Sequence, residues 1–528
     1  MANFLSISSA LLATSNSRVA PYLILFLYIG TMISLAYICR KKSETLESFF
    51  MADRGVGGWM TAFSYGATYF SSVVFIGFAG GLGWGMGLGA IWIGFFNAVF
   101  GSFLAWKVLG AKTRKMTRKI EATTMPQFFE KRYQSKNIRL ISSIIIFVFL
   151  IPYSTSVYQG LGYLFELVFG INFIYCIIIM ATLTALYLFS GGYFATALGD
   201  FIQGIIMVVG VFFMVFALLR APQVNGAEGL GQLIEMGKGF FPSLDSASGR
   251  LIDAPGFNLI VLIFLTSFGI WAMPQSVHKF YTIRNKSAIT RATIVSTIFA
   301  FIIGCGAYFV GSLSHLFFTQ MPEGGVDTLV PQILVQANFS GALLGLIVVL
   351  VLSASMSTLS SLSLSGASAV ALDFYKGYVK KDAKEKDVKL ILRILCIVFV
   401  LLSAVLAIAQ VDAIITLMSL SWGTLAGCFL GPYLFGLYSK KANAKAALTS
   451  IIGGLVTTFI LIVVFAILDA PDGATAVEFI KSGIRRSPLI GVIVMIQSLV
   501  LMFVVSRFTK PQSSEHIEYC FTYKNKQI

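Results

Sequence analysis

The sequence predicts an all-α integral membrane protein with about 13 transmembrane helices. Hydrophobic residues make up 57% of the 528 positions and charged residues only 12%, about half the share that is usual in soluble domains. Apolar runs of roughly 20 residues recur along the chain, and each is long enough to cross a hydrocarbon core about 30 Å thick. The short segments of alternating polarity that are typical of a transmembrane barrel do not occur in the sequence, so helices are expected.

The apolar runs define the predicted spans. In chain order they cover residues 21–39, 58–83, 85–109, 138–169, 171–190, 193–220, 256–280, 287–318, 341–375, 389–410, 412–438, 444–468 and 487–508. Glycine and small polar residues crowd the stretch 57–89, and Pro274 interrupts the stretch 267–280. Unwound backbone is tolerated in a membrane only where it lines a cavity buried in protein. Both stretches are therefore predicted to be broken helices beside a binding site.

The basic residues predict the orientation of the chain. An odd number of spans places the two termini on opposite sides, and 32 of the 39 Lys and Arg residues face the cytoplasm if the N-terminus is outside. The remaining seven are Arg18, Arg220, Lys238, Arg250, Lys481, Arg485 and Arg486. Basic loops stay on the cytoplasmic side, so a multi-pass cell-membrane protein with an outer N-terminus and a cytoplasmic C-terminus is expected. The first 20 residues have no basic n-region and are expected to remain as an uncleaved tail.

The order of the spans predicts an internal repeat. Spans two to six and seven to eleven are two sets of five, and an odd number in each set gives the second the opposite orientation, as in an inverted repeat. The predicted organisation is an N-terminal tail and extra helix (1–57), a first repeat (58–220), an extracellular loop (221–255), a second repeat (256–438), and two extra helices with a short cytoplasmic tail (439–528). The loop and the tail are both too short to be soluble domains.

An acid within one span is a candidate functional residue. Asp200 lies roughly two helical turns into its span, and an intramembrane acid is costly enough to suggest a functional site. The alternative is that Asp200 meets cytoplasmic water, because the preceding loop is short. No Lys or Arg lies deep in any predicted span, so a bound cation is the expected partner.

A run of hydroxyl side chains offers ligands for such a cation. Residues 353–368 contain nine Ser or Thr residues in 16 positions. Ser357, Ser360 and Ser361 share one helix face, and the Thr358 hydroxyl can approach the Ala354 carbonyl one turn earlier. Close helix packing is the ordinary explanation for small residues in a span. An oxygen cluster of this density opposite Asp200 favours a cation site.

Several motifs resemble the sodium:solute symporter family, over roughly residues 21 to 510. They are FFMADRGVGGWMTAFSYGATYFS, TMPQFFEKRY, YLFSGGYFATALGDFIQ, WAMPQSVHKFY and SASMSTLSSLSLSGASAVALDFY. The resemblance implies a leucine-transporter-like fold with a 5+5 inverted repeat, one extra helix before the repeats and two after. It also implies Na⁺ as the coupling ion and no other cofactor; the expected partners are Na⁺, a small organic solute and the lipid bilayer, with no nucleic acid and no obligate protein partner.

The resemblance assigns residues to three sites. The shared sodium site implies the carbonyls of Ala67, Phe70 and Ala354 and the side chains of Ser357 and Thr358. A second sodium site, found in some members, matches Asp200, Ser357, Ser360 and Ser361. The candidate solute lining is Tyr69, Ser71, Phe75, Tyr153, Gln159, Thr266, Trp271 and Gln275.

The resemblance also bears on the identity of the solute. The proline-transporting branch has an acid in the broken helix where this chain has Tyr69, and the segment after Pro274 looks most like branches that carry pantothenate or other small carboxylates. Sodium-coupled import of pantothenate or a monocarboxylate by alternating access is therefore expected. The alternatives are a sodium symporter for an amino acid of the proline type or for a sugar, and a proton-coupled transporter. A passive channel would show charged rings or a repeated pore segment, and an enzyme would need a nucleophile, a base and an orienting group together. The sequence shows neither set of features, so a channel and an enzyme are not expected.

Overall fold

The computed structural model describes residues 19–39 and 45–522, without the side chains of 189–191. The predicted tail before residue 19 and the residues after 522 lie outside this description. Within it, regular structure is helical apart from an isolated bridge between Val56 and Ile283. The main helices are α1 Val19–Cys39, α2 Gly58–Tyr69, α3 73–86, α4 87–119, α5 Met125–Tyr133, α6 Lys136–Phe169, α7 Phe173–Leu188, α8 Gly192–Leu219, α9 Pro255–Ala272, α10 Pro274–Thr282, α11 Lys286–Ser312, α12 Leu329–Gln336, α13 Gly341–Ser368, α14 Glu385–Ile408, α15 Ile414–Tyr438, α16 Ala444–Asp469, α17 Ala476–Ile484, α18 Ser487–Phe508 and α19 Ser514–Phe521.

Eleven helical stretches in the described ranges are long and apolar enough to cross a membrane. The difference from the 13 predicted spans arises at two glycines. Helical hydrogen bonding continues from residue 73 to 119, although a φ of 57° at Gly87 separates α3 from α4. Gly192 has a φ of 61° and separates α8 from α7, which is apolar but shorter than the other spans. The all-helical membrane architecture is confirmed.

Two helices are broken in the middle of the bundle. α2 ends at Tyr69, and Phe70 adopts an extended conformation (φ −109°, ψ 106°) before α3 begins with the π-helical segment Val73–Phe78. α9 ends in a 3₁₀ turn, and Met273 is extended (φ −74°, ψ 120°) before α10 begins at Pro274. Proline suits a first helical position because the N–H that it lacks would have no partner there. Both interruptions lie where glycine, small residues and proline predict them.

α13 is the central element for the candidate sites. It packs against α1, α2, α6, α8, α10 and α14, and α2 in turn packs against α8 and α11. Small residues allow the closest helix contacts: a Cβ atom on Gly83 of α3 would lie 2.1 Å from the carbonyl carbon of Gly311 in α11. The hydroxyl-rich half of α13 packs against α2, close to the break that follows Tyr69.

Candidate functional site

The first cluster of oxygens lies where the end of α2 meets the middle of α13. The Ser357 Oγ lies 3.0 Å from the carbonyl oxygens of both Ala67 and Ala354. The Thr358 Oγ1 lies 3.1 Å from the Ala354 carbonyl oxygen and 3.4 Å from that of Ala67. A hydroxyl has one proton, so two hydroxyls leave this cluster rich in free lone pairs. Buried neutral oxygens of this kind are suitable ligands for a small hard cation.

The fifth residue predicted for this cluster is Phe70. It is the residue at which the backbone leaves helical geometry after α2, and its ring packs 4.6 Å from the Tyr69 ring, centroid to centroid. The structure therefore brings the predicted oxygens of Ala67, Ala354, Ser357 and Thr358 together and places Phe70 at the adjoining break.

The second cluster is centred on Asp200 of α8. Its Oδ2 accepts a hydrogen bond from Ser64 Oγ at 2.5 Å and lies 3.5 Å from Lys279 Nζ. The Lys279 Nζ also lies 3.2 Å from Ser361 Oγ. The side chains of Asp200 and Lys279 are each only 1% exposed, so this is a buried ion pair.

The ion pair corrects the expectation that the protein offers Asp200 no basic partner. Residue 279 lies at the very end of the predicted span 256–280, and its lysine is counted there among the cytoplasmic basic residues. After the break at Met273, however, α10 continues as a polar helix to Thr282, and every residue of α10 is buried. A hydropathy pattern does not reveal this, because α10 is short and its polar side chains are buried only by the packing of other helices around it.

The other residues predicted for a second sodium site are divided between the two clusters. Ser361 belongs to the Asp200 cluster, where its Oγ is 3.1 Å from Thr68 Oγ1. The Ser360 hydroxyl bonds back to the Ser357 carbonyl at 3.1 Å, and Ser357 itself faces Ala67. Of the four predicted residues, Asp200 and Ser361 therefore share a site.

The residues predicted to line the solute site are all buried. The Tyr69 hydroxyl donates to the Thr266 carbonyl at 2.8 Å, which joins the two broken helices. Gln159 and Gln275 each have both amide atoms buried with no hydrogen-bond partner among the described residues. A buried unpaired amide is unfavourable by roughly 1–3 kcal/mol, so these groups require a polar partner.

Some of the remaining predicted lining residues already form hydrogen bonds within the protein. The Trp271 Nε1 donates to the Phe100 carbonyl of α4 at 3.0 Å, and Ser71 Oγ accepts from the Val73 N–H at 3.2 Å at the start of α3. Phe75 lies buried in the π-helical segment. These side chains thus help to fix the helix ends that surround the site.

Trp422 of α15 was not predicted to line the solute site, but it packs against two aromatic residues that were. Its ring stacks on that of Tyr69 (centroids 6.0 Å apart, planes at 21°) and meets that of Tyr153 edge-on (5.9 Å, 89°). Its Nε1 is buried and makes no hydrogen bond within residues 19–39 and 45–522. A tryptophan in the middle of the apolar span 412–438 was the available signal. Three aromatic faces and one free indole N–H thus converge between the broken helices.

Polar contacts connect the helices near both ends of the bundle. Towards the predicted outer side, the Asp327 Oδ2 accepts from the backbone N–H of Ile414 at 3.1 Å. Burial raises the pKa of Asp327 to about 6; the nearby charge of Asp412 adds to the rise and the Ile414 N–H opposes it. Towards the predicted cytoplasmic side, Arg139 forms ion pairs with Glu130 (2.7 Å) and Asp373 (3.1 Å).

Two broken helices around buried oxygen-rich clusters are the architecture of a secondary transporter. The model of the sodium:solute symporter family matches residues 49–454, and the chain belongs to this family. It is 26% identical to sodium/proline symporter 2 of Staphylococcus saprophyticus over 504 residues, 93% of this chain and 94% of the relative. It is also 26% identical to the sodium/proline symporter of Escherichia coli over 455 residues, 83% of this chain and 87% of the relative.

A solved structure supports the fold. The substrate-bound, outward-open form of a Na⁺-coupled sialic acid symporter superimposes with a TM-score of 0.74 and 20% identity, covering 94% of this chain and 98% of that one. The predicted leucine-transporter-like fold is therefore confirmed.

Proposed function

We propose that the protein is a sodium-coupled symporter that imports a small zwitterionic amino acid of the proline type by alternating access. The observation that carries the proposal is the convergence of the Ser357 and Thr358 hydroxyls on the Ala67 and Ala354 carbonyls beside the break after α2. With the Phe70 carbonyl, these oxygens form the proposed sodium site. They include no carboxylate, and a neutral ligand set suits a monovalent cation better than a divalent one.

Sodium at this position would join α2 to α13. The outside ion would hold the two helices together and order the solute site beside them, and inward opening would separate the helices and release the ion. Each charge that crosses a potential of ~100 mV contributes about 2.3 kcal/mol, enough to accumulate solute against a gradient.

The amino-acid alternative is better supported than the carboxylate first expected, because the relatives above are named sodium/proline symporters. The proposed lining contains no acid and no base: Tyr69, Ser71, Phe75, Tyr153, Gln159, Thr266, Trp271 and Gln275, with Trp422 added. An anion such as pantothenate would enter this site without a fixed positive partner, since Lys279 is paired with Asp200. A zwitterion has no net charge and therefore needs no fixed positive partner in the site.

The two charges of an amino acid have different partners in this proposal. The ammonium group would lie against the aromatic faces of Tyr69, Tyr153 and Trp422, where a cation–π contact contributes about 0.5–2 kcal/mol. The carboxylate would lie at the helix N-termini created by the breaks, where the positive end of the helix dipole favours negative charge. The amides of Gln159 and Gln275 supply further hydrogen bonds. Aromatic faces would thus take the role of the acid that the proline branch carries at the position of Tyr69.

Uptake into proteoliposomes tests this function. An inward Na⁺ gradient is imposed, and labelled proline, other neutral amino acids, pantothenate, a monocarboxylate and a sugar are offered. We expect accumulation of proline or another neutral amino acid that requires the Na⁺ gradient. Accumulation of pantothenate or the monocarboxylate alone would favour the carboxylate alternative, and uptake that is indifferent to Na⁺ would contradict sodium coupling.

One observation favours proton coupling as a second candidate, namely that Asp200 and Lys279 form a buried acid–base pair. A proton carrier would need to exchange its proton as the conformation changes. Uptake driven by an H⁺ gradient in Na⁺-free buffer would support this candidate, whereas collapse of the H⁺ gradient with no effect on Na⁺-driven uptake would exclude it.

The orientation in the cell membrane remains part of the proposal, with the N-terminus outside and the C-terminus in the cytoplasm. Its support is the excess of basic residues in loops on one side. A cysteine introduced at Lys440, in a variant without the six native cysteines, should react with an impermeant thiol reagent in inverted vesicles but not in intact cells. The reverse pattern would invert the topology.

A further inference from the structure

We propose that the ammonium group of Lys279 permanently occupies the second cation position of this transporter, so that a single Na⁺ accompanies each solute molecule. The stoichiometry rests on the proposed sodium coupling, whereas the occupancy of the second position rests on the Asp200 cluster alone.

The position of the ammonium group is defined by oxygens from two helices. The Lys279 Nζ, from α10, lies 3.5 Å from Asp200 Oδ2 on α8 and 3.2 Å from Ser361 Oγ on α13. Asp200 and Ser361 are the two residues of the predicted second sodium site that the structure brings together. A flexible lysine side chain has therefore entered the place where their oxygens would otherwise hold a free ion.

The charge at this position disfavours a second ion, although the buried Asp200 Oδ1 has no hydrogen-bond partner among the described residues. Asp200 is the acid of the cluster, and its Oδ2 already accepts from Ser64 and faces Lys279. An added Na⁺ would place two positive charges beside one carboxylate in a buried environment, where charges interact far more strongly than in water. Without the lysine, the same carboxylate would be buried and unpaired, which is strongly unfavourable. A cation is therefore required here, and Lys279 supplies it covalently.

Thr68 places the tethered cation next to the proposed sodium site. Its carbonyl oxygen lies 3.4 Å from Thr358 Oγ1, and its own hydroxyl lies 3.1 Å from Ser361 Oγ. Thr358 and Ser361 are three residues apart on α13, so the two cations would lie beside the same turn of α13 and the same end of α2. Lys279 also cross-links α10 to α8 and α13, the mechanical role that a second bound ion would otherwise have.

Equilibrium binding of ²²Na⁺ to the purified full-length protein at pH 8.5 tests the inference without knowledge of the solute. We expect one Na⁺ per chain for the wild type and for Lys279→Arg, which keeps the charge. Lys279→Met removes the charge at similar length and should bind one Na⁺ more than the wild type. The double variant Asp200→Asn/Lys279→Met removes both charges and should bind as many Na⁺ ions as the wild type.

The outcomes separate this inference from the proposed function. Two Na⁺ ions per wild-type chain would overturn it, as would a monodisperse Lys279→Met protein that binds no additional ion. If Lys279→Met does not fold, the wild-type count decides alone. A wild type that binds no Na⁺ would contradict the proposed sodium site and with it the stoichiometry, while one ion gained in Lys279→Met would still support the position assigned to Lys279.

Discussion

The hydroxyl of Ser357 lies 3.0 Å from the carbonyl oxygen of Ala67, a residue 290 positions earlier in the chain. This contact joins the last turn of α2 to the centre of α13. A carbonyl near a helix end has lost its partner in the helix and is free to accept from another group. The pair therefore marks a place where two helices are held together by groups that an ion can also use.

Loss of the Thr358 hydroxyl should weaken sodium dependence. Thr358→Ala removes one oxygen from the proposed site, and loss of a polar contact to a charged group amounts to roughly 1.5–3 kcal/mol. We expect the Na⁺ concentration for half-maximal uptake to rise about tenfold or more. Thr358→Ser keeps the hydroxyl and should stay near the wild type, and Ser363→Ala on the same helix should have no effect. Equal Na⁺ dependence in Thr358→Ala and Ser363→Ala would remove Thr358 from the site.

Substitution by phenylalanine should have different effects on the two tryptophans near the broken helices, Trp422 and Trp271. Trp422→Phe removes a free indole N–H and weakens an aromatic face, so the KM for the solute should rise about fivefold, equivalent to ~1 kcal/mol. Trp271→Phe deprives the Phe100 carbonyl of its donor and should mainly lower the melting temperature. Thermal unfolding and KM, measured on both variants, distinguish the two roles. A larger KM change in Trp271→Phe would assign solute contact to Trp271 instead.

The unpaired amides should matter for transport and not for folding. Gln159→Leu and Gln275→Leu each remove a buried amide that has no partner within the described chain, so the free energy of unfolding should stay equal or rise. Solute uptake should fall at least tenfold if the amides bind the solute. A loss of stability that parallels the loss of uptake would instead indicate a structural hydrogen bond through water.

The ion pairs of Arg139 should control access from the predicted cytoplasmic side. Asp373 is fully buried and accepts hydrogen bonds from Thr124 and Gln127 as well as from Arg139. A narrow cavity beside this cluster includes Ser365 in its lining. Arg139→Gln should favour the open state by ~1.4 kcal/mol, so that alkylation of a Ser365→Cys reporter from the inside becomes about tenfold faster.

The control for this experiment is a charged surface residue away from the cluster. Lys136 lies one turn from Arg139 on the surface of α6. Its substitution Lys136→Gln should leave the alkylation rate of the reporter unchanged. A rate that responds equally to both substitutions would mean that general surface charge, and not the ion pairs, holds the inner side closed.

The burial of Asp327 predicts a pH dependence of stability. Its folded-state pKa of about 6 lies above the ~3.9 of an unfolded chain, so the native protein binds more protons between these values. Stability from this group is therefore highest below about pH 4 and is lost as the pH rises to about 6. Asp327→Asn keeps an acceptor for the Ile414 N–H without the charge. We expect its melting temperature at pH 7 to exceed that of the wild type, with the difference shrinking towards pH 4; a constant difference would contradict the assigned titration.

The helical fold and the part of the first oxygen cluster that lies on α13 are predictable from local sequence patterns, whereas Ala67 and Phe70 were implied by the family resemblance. Long apolar runs define spans, and the spacing of Ser357 and Thr358 on one helix fixes their geometry towards Ala354. The breaks after Tyr69 and at Met273 follow from small residues and proline.

The features that were not anticipated depend on contacts between distant helices. Lys279 belongs to a short polar helix that only tertiary packing buries, so hydropathy placed it at the cytoplasmic end of a span. Trp422 becomes part of an aromatic cluster only through the approach of α15 to α2 and α6. Eleven spans are described against thirteen predicted. The differences lie near Gly87, where helical hydrogen bonding continues from α3 into α4, and near Gly192, which separates the short α7 from α8.

The separation of Asp200 and Lys279 in the chain also has a consequence for biosynthesis. The two residues are 79 positions apart, and chains are synthesised at about 5–20 residues per second. The acid of α8 therefore emerges from the ribosome several seconds before its basic partner exists. During that interval α8 carries an unpaired carboxyl group, which disfavours its release into lipid. Stable integration of the first half of the protein should accordingly wait for α10, so that membrane insertion of the two halves is coupled during translation.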